Sequence, residues 1–191
     1  MSSVAEFESC AEENGNDLNK LSLPFYVYDE CPYEGCGSAQ DNDFYKPAQT
    51  AITLYSEPQT DSTTTLVVQK GELLAHIKNV VVTIEPYTCL PPTSDEEIFN
   101  EEIATQQALT QARNNDENIY IINELTGGIN QIWYRQKTYN LSGSDSKNWL
   151  KCKGDLKQEW WLLFKNKNNE KGWARFSVST EEDLSNFISE N

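Results

Sequence analysis

The stretch Trp160-Trp161-Leu162-Leu163-Phe164 carries the strongest strand signal in the chain. A short run of large apolar residues between polar segments predicts a buried β-strand. A polar turn follows at residues 166–171, and Gly172-Trp173-Ala174-Arg175-Phe176 predicts the next strand. Successive side chains of a strand point to opposite faces, so we expect Trp160 and Trp161 to lie on the two sides of a sheet.

Period-two alternation extends the β prediction to both halves of the chain. The predicted strands contain Ile52 and Leu54, Leu66 and Val68, residues 73–84, residues 119–122 and residues 132–135. Turn-forming residues separate them at Glu57-Pro58-Gln59, Lys70-Gly71-Glu72 and Gly127-Gly128. Several short strands at close spacing favour small barrels or a sandwich.

Two segments predict helices. Leu90-Pro91-Pro92 ends the first run of strands, and Ser94 with Glu97 forms a capping-box pattern at the start of residues 95–113. The apolar stripe of that segment is incomplete and consists of Ile98, Phe99, Ile103, Ala104, Leu109 and Ala112. Thr180 with Asp183 predicts a second capped helix near the C-terminus.

The polar residues 141–157 predict a long surface loop.

These elements predict a mostly β fold of two small barrels joined by a helix, with a short C-terminal helix. Residues 1–22 are expected to form a flexible acidic tail, residues 23–92 the first barrel and residues 93–116 the linker helix. Residues 117–178 are expected to form the second barrel and residues 179–191 the C-terminal helix. A chain of 191 residues has room for one medium domain or two such small units.

The chain is strongly acidic, with a net charge of -15. A phosphate backbone or an anionic membrane surface would be repelled, so nucleic acid and membranes are poor candidate partners. A basic protein or peptide would be attracted and steered in quickly. A solvated surface that confers solubility also explains the acidity.

The sequence leaves the cellular compartment of the protein open. No run of about 18 apolar residues occurs, so no transmembrane segment is expected. The start Met1-Ser2-Ser3-Val4-Ala5-Glu6 lacks the basic and apolar regions of a signal peptide. We therefore expect either a cytoplasmic protein or an exported one whose signal precedes this numbering.

The five cysteines are Cys10, Cys31, Cys36, Cys89 and Cys152. Cys31 and Cys36 are close enough to bridge through a turn that Pro32 and Gly35 favour. A disulfide there would indicate an oxidising compartment. Free thiols and a zinc site are the alternatives, and zinc is disfavoured because only one short cysteine spacing occurs.

Several segments resemble bacterial SH3-type domains. Ile52-Thr53-Leu54-Tyr55-Ser56-Glu57-Pro58 resembles their opening strand, and Lys70-Gly71-Glu72 sits where they have a lysine–glycine turn. Gly172-Trp173-Ala174 resembles their closing motif, in which the glycine is expected to permit a turn and the tryptophan to plug the barrel end. Residues 26–36 resemble the segment before such domains in some exported proteins. The first unit departs from the pattern, since it runs Val80-Val81-Val82-Thr83-Ile84-Glu85 without the closing Gly-Trp.

The resemblance implies tandem SH3-like barrels of the exported or periplasmic kind. Domains of this family commonly bind cell-wall peptides or act as spacers beside wall hydrolases. It therefore implies a peptidoglycan fragment or a protein partner in the cell envelope.

The residues offer little for catalysis. The single histidine is His76, on a predicted strand where such a residue is usually exposed, and the thiol of Cys89 has no activating motif around it. No glycine-rich phosphate loop and no Gly-x-Ser-x-Gly elbow occur. Acidic pairs such as Glu96-Glu97 and Glu101-Glu102 lie at predicted helix starts or on polar faces, and acidic residues at a helix start interact favourably with the helix dipole. We predict a protein that is not an enzyme, with no catalytic residue, metal or cofactor.

Aromatic residues are the better candidates for binding, because they combine a flat apolar surface with a polar group. The candidate ligand-binding residues are Trp133, Tyr134, Trp160, Trp161, Tyr28 and Tyr33, and Tyr26, Phe44 and Tyr45 can extend the patch. The alternative is that Trp160-Trp161 and Trp133-Tyr134 bury both strand faces in contacts between the two barrels.

Three functions compete. The leading hypothesis is a non-enzymatic, extracytoplasmic module that binds a cell-wall peptide or a protein partner. The second is an inhibitor or immunity-type protein that blocks a basic enzyme, suggested by the acidity. The third is a thiol- or metal-dependent enzyme, which metal analysis and mapping of a Cys31–Cys36 bridge would exclude.

Overall fold

The structure is a computed structural model that describes residues 20–28, 45–125, 128–142 and 150–176. In these residues the fold is mostly β, with antiparallel strands in two sheets and one α-helix. The general prediction of a mostly β protein is therefore confirmed. Most of the predicted N-terminal tail, the predicted C-terminal helix, and Cys31, Tyr33 and Cys36 lie outside the described residues.

The elements are named here in chain order. The strands are β1 (Phe25–Tyr28), β2 (Lys46–Pro47), β3 (Ile52–Tyr55), β4 (Thr64–Val68), β5 (Leu73–Glu85), β6 (Tyr87–Leu90), β7 (Ile119–Leu125), β8 (Ile129–Tyr134), β9 (Lys137–Leu141), β10 (Lys151–Lys153), β11 (Lys157–Asn166) and β12 (Lys171–Phe176). A 3₁₀ turn (Glu96–Ile98) and the helix α1 (Ile103–Asn114) lie between β6 and β7.

The first sheet has the strand order β1-β5-β11-β12-β3-β4, with β2 also beside β5. β5 and β11 are antiparallel partners along most of their length, from Lys157 opposite Glu85 to Asn166 opposite Leu74. One face of this sheet carries a core that includes Leu54, Val68, Leu74, Val81, Trp160, Leu162 and Phe164. Strands from both ends of the chain thus share one core.

The second sheet has the order β10-β6-β7-β8-β9. The helix α1 packs on it, since Ala108, Leu109 and Ala112 join Ile119 and Ile132 in one buried cluster. The helix therefore belongs to the core of this sheet.

The predicted arrangement of two barrels joined by a helix is not confirmed. β11 and β12, which the sequence assigned to the second barrel, pair with β5 and β3 of the first sheet. Residues 86–156 form the second sheet and its helix as an insertion between β5 and β11. The physical reason is that β11 is apolar on both faces, so it is stable between two neighbouring strands within a sheet.

The segments that resemble SH3-type domains all lie in the first sheet. The opening segment contains β3, the turn Lys70-Gly71-Glu72 precedes β5, and the closing motif lies in β12, where Trp173 is opposite Tyr55. These segments had been assigned to two separate units. Their common sheet brings them together.

The structure corrects the expected role of Gly172. This glycine lies within β12 rather than in a turn, and a Cβ placed on it would be 2.6 Å from both Leu54 Cβ and Thr65 Oγ1. The absence of a side chain therefore permits β12 to approach β3 and β4 closely. Trp173 packs on the opposite sheet face, beside Val80 and Trp161.

A polar junction connects the two sheets. The pairing of β7 with β8 shifts register between Ile121 and Asn123, which leaves Ile122 as the extra residue of a bulge. The Ile122 carbonyl oxygen accepts hydrogen bonds from Thr83 Oγ1 and from Gln158 Nε2, the latter at 3.1 Å. Gln158 also donates to Asn123 Oδ1 at 2.9 Å. Side chains of the first sheet thus bind the bulge of the second.

The helix predicted at residues 95–113 is present only in part. The segment consists of the 3₁₀ turn and, after an interruption, α1. The N-cap residues of these two elements are Asp95 and Glu102, and neither makes a side-chain cap hydrogen bond. The amide of Gln106 donates to the carbonyl oxygens of Phe99 and Glu101, at 3.2 and 2.7 Å, and so stabilises the interruption.

The polar residues 141–157, predicted as a surface loop, include the strand β10, which pairs with β6. Among the described residues, no helix has the length and apolar character needed to cross a membrane.

Candidate functional site

Trp160 and Trp161 point to opposite faces of the first sheet, as predicted, and both are buried. Trp160 lies in the main core of that sheet. Trp161 packs edge-on against Tyr55, with ring centroids 5.7 Å apart, and its Nε1 donates to Glu159 Oε2 at 3.1 Å. The two tryptophans therefore stabilise one sheet and offer little surface to a ligand.

Trp133 and Tyr134 are buried in the second sheet. Trp133 makes an edge-to-face contact with Tyr120, at 5.7 Å between ring centroids. Tyr134 lies in the core beneath α1, and its hydroxyl donates to the Glu117 carboxylate. Trp133 and Tyr134 therefore pack within the second sheet and offer little surface to a ligand.

Tyr28 is the exposed member of the described candidates, with 41% of its surface accessible. Its ring lies 6.4 Å from that of Tyr26, and the planes are nearly parallel. Lys78 Nζ lies 4.7 Å from the Tyr28 ring centroid and 5.6 Å from that of Trp173. The structure thus places Tyr28, Trp160 and Trp161 in the first sheet and Trp133 and Tyr134 in the second, and it does not assemble the predicted aromatic groove from the described candidates.

A disulfide between Cys89 and Cys152 was missed by the sequence analysis. The two cysteines are opposite each other in β6 and β10. They are 63 residues apart in the chain, so spacing gave no signal for the pairing. Because Cys89 is bonded in this way, its thiol is not available as a nucleophile.

Among the described carboxylic acids, Glu117 has the pKa that is shifted most strongly from its usual value. Arg135 donates to it twice, from Nη2 to Oε1 at 2.7 Å and from Nε to Oε2 at 3.0 Å. The Arg135 hydrogen bonds, followed by that of Tyr134, hold the pKa of Glu117 at about 2. Arg135 and Gln136 form the positive-φ turn between β8 and β9, so this ion pair fixes the hairpin to the end of α1.

His76 is partly buried on β5 rather than exposed. Its Nε2 lies 2.7 Å from Asn79 Oδ1, and its ring is tilted against Phe164. Burial lowers the pKa of His76 below its usual value. In the described part of the chain, no group of three or more His, Cys, Asp or Glu side chains is placed to hold a metal ion.

A groove of about 620 Å³ runs along α1. The helix contributes one stripe of side chains to it, namely Ile103, Gln106, Gln107, Thr110, Gln111 and Asn114. The facing wall contains Asp95, Ile98 and Phe99. The other side of the helix, with Ala108, Leu109 and Ala112, packs on the second sheet.

Phe99 and Ile103 are the most exposed large apolar side chains in the described residues, at 79% and 73%. The sequence placed both in the buried stripe of one helix. The helix is interrupted between Ile98 and Ile103, and only Ile98, Leu109 and Ala112 of that stripe reach the core, together with Ala108.

Acidic residues flank this apolar pair in the sequence. Asp95, Glu96, Glu97, Glu101 and Glu102 lie within one short segment, and Asp95, Glu96 and Glu102 are exposed. Arg113 binds Asp95 at 2.5 Å between Nη2 and Oδ1 and is the single charged residue in the sequence of α1. An uncharged centre within a charged rim is typical of protein–protein interfaces. We call Phe99, Ile103 and the helix stripe the α1 groove.

No family model, curated protein or solved structure matches the chain. Its site is therefore interpreted from its own geometry.

Proposed function

We propose that this protein is a non-enzymatic interaction module that binds a basic protein. The observation that carries the proposal is the exposed pair Phe99 and Ile103, with the exposed acidic residues Asp95, Glu96 and Glu102 close to them in the chain. Burying such side chains contributes about 1.5–3 kcal/mol each, which gives the surface affinity. The acidic rim attracts a basic partner and repels an acidic one.

The charge of the whole molecule supports the same choice of partner. At a net charge of -15, two copies of the chain repel each other, whereas a basic protein is steered towards either. An inhibitor or immunity-type protein that blocks a basic enzyme is the second candidate, and the same acidic rim favours it, since it can cover a positively charged surface.

The disulfide supports an extracytoplasmic or periplasmic location within this proposal. Disulfides persist in oxidising compartments and are rare in the cytosol. The pair that supports it is Cys89–Cys152, whereas the Cys31–Cys36 pair on which the sequence argument relied lies outside the described residues and stays a prediction.

The fold proposal changes with the strand order. We propose one SH3-like unit, formed by the first sheet and interrupted by residues 86–156, in place of two tandem barrels. Its support is that the opening segment, the lysine–glycine turn and the closing motif lie in one sheet. A cell-wall peptide as ligand stays a prediction from the resemblance.

Capture from the native cell, followed by binding measurements with the purified partner, tests the function. We expect a basic protein whose dissociation constant rises with salt, because screening weakens the charge attraction. Phe99→Ser should weaken binding at least tenfold. Val67→Ser, which removes another exposed apolar side chain on β4, is the matched control. Binding that is independent of both salt and Phe99 would refute the proposal.

A further inference from the structure

We propose that the α1 groove receives a basic amphipathic helix of about three turns from the partner protein. This inference rests on the proposed function and names the part of the partner that binds.

The length of the groove sets the length of the occupant. The stripe begins at Ile103 and ends at Asn114, which spans the whole of α1. At ~1.5 Å per residue, this corresponds to roughly 16 Å of surface, which three turns of a second helix match. The stripe is one helical face, so a helix packed along it can interlock its side chains with those of α1.

A helix suits this groove better than an extended segment does. The backbone hydrogen bonds of α1 are satisfied within the helix, so the groove provides no free strand edge for a partner strand. An extended segment would find hydrogen-bond partners for its own backbone N–H and C=O groups only among the amide side chains of the groove. A helix satisfies those groups internally and presents only side chains.

The chemistry varies along the groove. Phe99 and Ile103 form an apolar end, which fits an aliphatic or aromatic side chain of the partner. Gln107, Thr110 and Gln111 form an uncharged middle, which can be covered without desolvating a charge. The carboxylates at the rim fit lysine or arginine on the flanks of the incoming helix.

Charge repulsion disfavours two other occupants of the α1 groove. A second copy of the chain would bring its own acidic surface to an acidic rim. The C-terminal residues 177–191 contain Glu181, Glu182, Asp183 and Glu190 but no lysine or arginine in their sequence. Both occupants are disfavoured by repulsion, whereas a basic helix is attracted.

The test uses a fluorescent synthetic helix with leucine on one face and lysine on the other, titrated against the full chain by anisotropy. Gln111→Arg places a positive charge in the groove and should weaken binding at least fivefold, and Gln111→Glu should tighten it. Both replacements are good helix formers at an exposed position, so the fold is expected to persist. Asn168→Arg, on the hairpin between β11 and β12, carries the same added charge and should change binding less than twofold.

A second probe has the same composition but contains prolines that prevent helix formation. If it binds as tightly as the helical probe, the occupant is not a helix and the inference is wrong. Equal effects of Gln111→Arg and Asn168→Arg would also overturn it.

Binding measurements with the purified partner then distinguish the proposed function from the proposed helix in the α1 groove. Salt-dependent binding that Phe99→Ser weakens and Gln111→Arg leaves unchanged would retain the function and refute the helix in the groove. If no basic protein binds at all, both proposals fail.

Discussion

Gly172 in β12 lies directly against Leu54 in β3, so closely that a Cβ on the glycine would be 2.6 Å from the leucine Cβ. Thr65 Oγ1 on β4 is equally close to that position. This contact is where strands from the two ends of the chain meet in the first sheet. It explains physically why the closing motif needs a glycine.

Gly172→Ala is expected to destabilise the protein by about 3 kcal/mol, because the new methyl group overlaps the β3 backbone region and Leu54. Urea unfolding followed by tryptophan fluorescence measures the change. Gly71→Ala is the control, since its Cβ would meet nothing within 4 Å and only the positive φ of 87° is unfavourable there. We expect about 1 kcal/mol for the control, and equal losses for the two variants would contradict the packing argument.

Reduction of Cys89–Cys152 is expected to lower stability by about 4 kcal/mol, because the bond closes a long loop in the unfolded chain. Thermal melts with and without a reducing agent test this. The double variant with serine at both positions should melt at the lower temperature in both conditions. Peptide mapping of the oxidised protein identifies the pair, and a different partner for Cys152 would show the prediction to be wrong.

Glu117 should make stability depend on pH in the acid range. Its pKa is lowered in the folded state from 4.5 to about 2, chiefly by the Arg135 hydrogen bonds. The contribution is therefore complete above pH 4.5 and is lost as the pH falls towards 2. Glu117→Gln should lower stability at neutral pH by about 1 kcal/mol, a modest value because the ion pair is partly exposed.

Urea midpoints measured from neutral pH down to pH 2 test this, and the difference between wild type and Glu117→Gln should shrink across that range. Asp116→Asn removes a neighbouring exposed charge at a position whose φ of 54° suits asparagine. It should leave the slope unchanged. The same slope in Glu117→Gln as in wild type would count against the ion pair.

Ile98 and Phe99 are neighbours in the chain with opposite environments, 2% and 79% exposed. Ile98→Ser should cost about 3 kcal/mol, because it removes core packing and buries a hydroxyl. Phe99→Ser should change stability by less than about 0.5 kcal/mol. Unfolding curves of the two variants test these opposite environments, and losses of similar size would contradict them.

Much of the local structure was predictable. The strand around Trp160-Trp161, the alternation in β3 and β5, and the polar turn before Lys171 follow from side-chain periodicity, which depends on near neighbours. The candidate site was predicted poorly. The aromatic residues chosen for binding are mostly buried, since a strand alternation does not reveal whether its second face is covered.

Two residues of the α1 groove were singled out in the sequence, but their exposure was not predicted. Phe99 and Ile103 fit a helical stripe by spacing alone. Their exposure depends on where the helix is interrupted, and the interruption is stabilised by Gln106 bonding back to two carbonyl groups.

The sequence by itself determined the strands β3, β4, β5, β7, β8, β11 and β12, the acidity and the opposite orientation of Trp160 and Trp161. These features depend on composition and on the period of two along a strand. Only the tertiary structure decided that β11 pairs with β5, that Cys89 bonds Cys152, and that residues 86–156 are an insertion. Such pairings depend on contacts between residues far apart in the chain. Many segments have a similar local propensity to form a strand, so the local sequence does not show which of them will pair. The close fit at Gly172, the bulge at Ile122 and burial on both faces of β11 select among them.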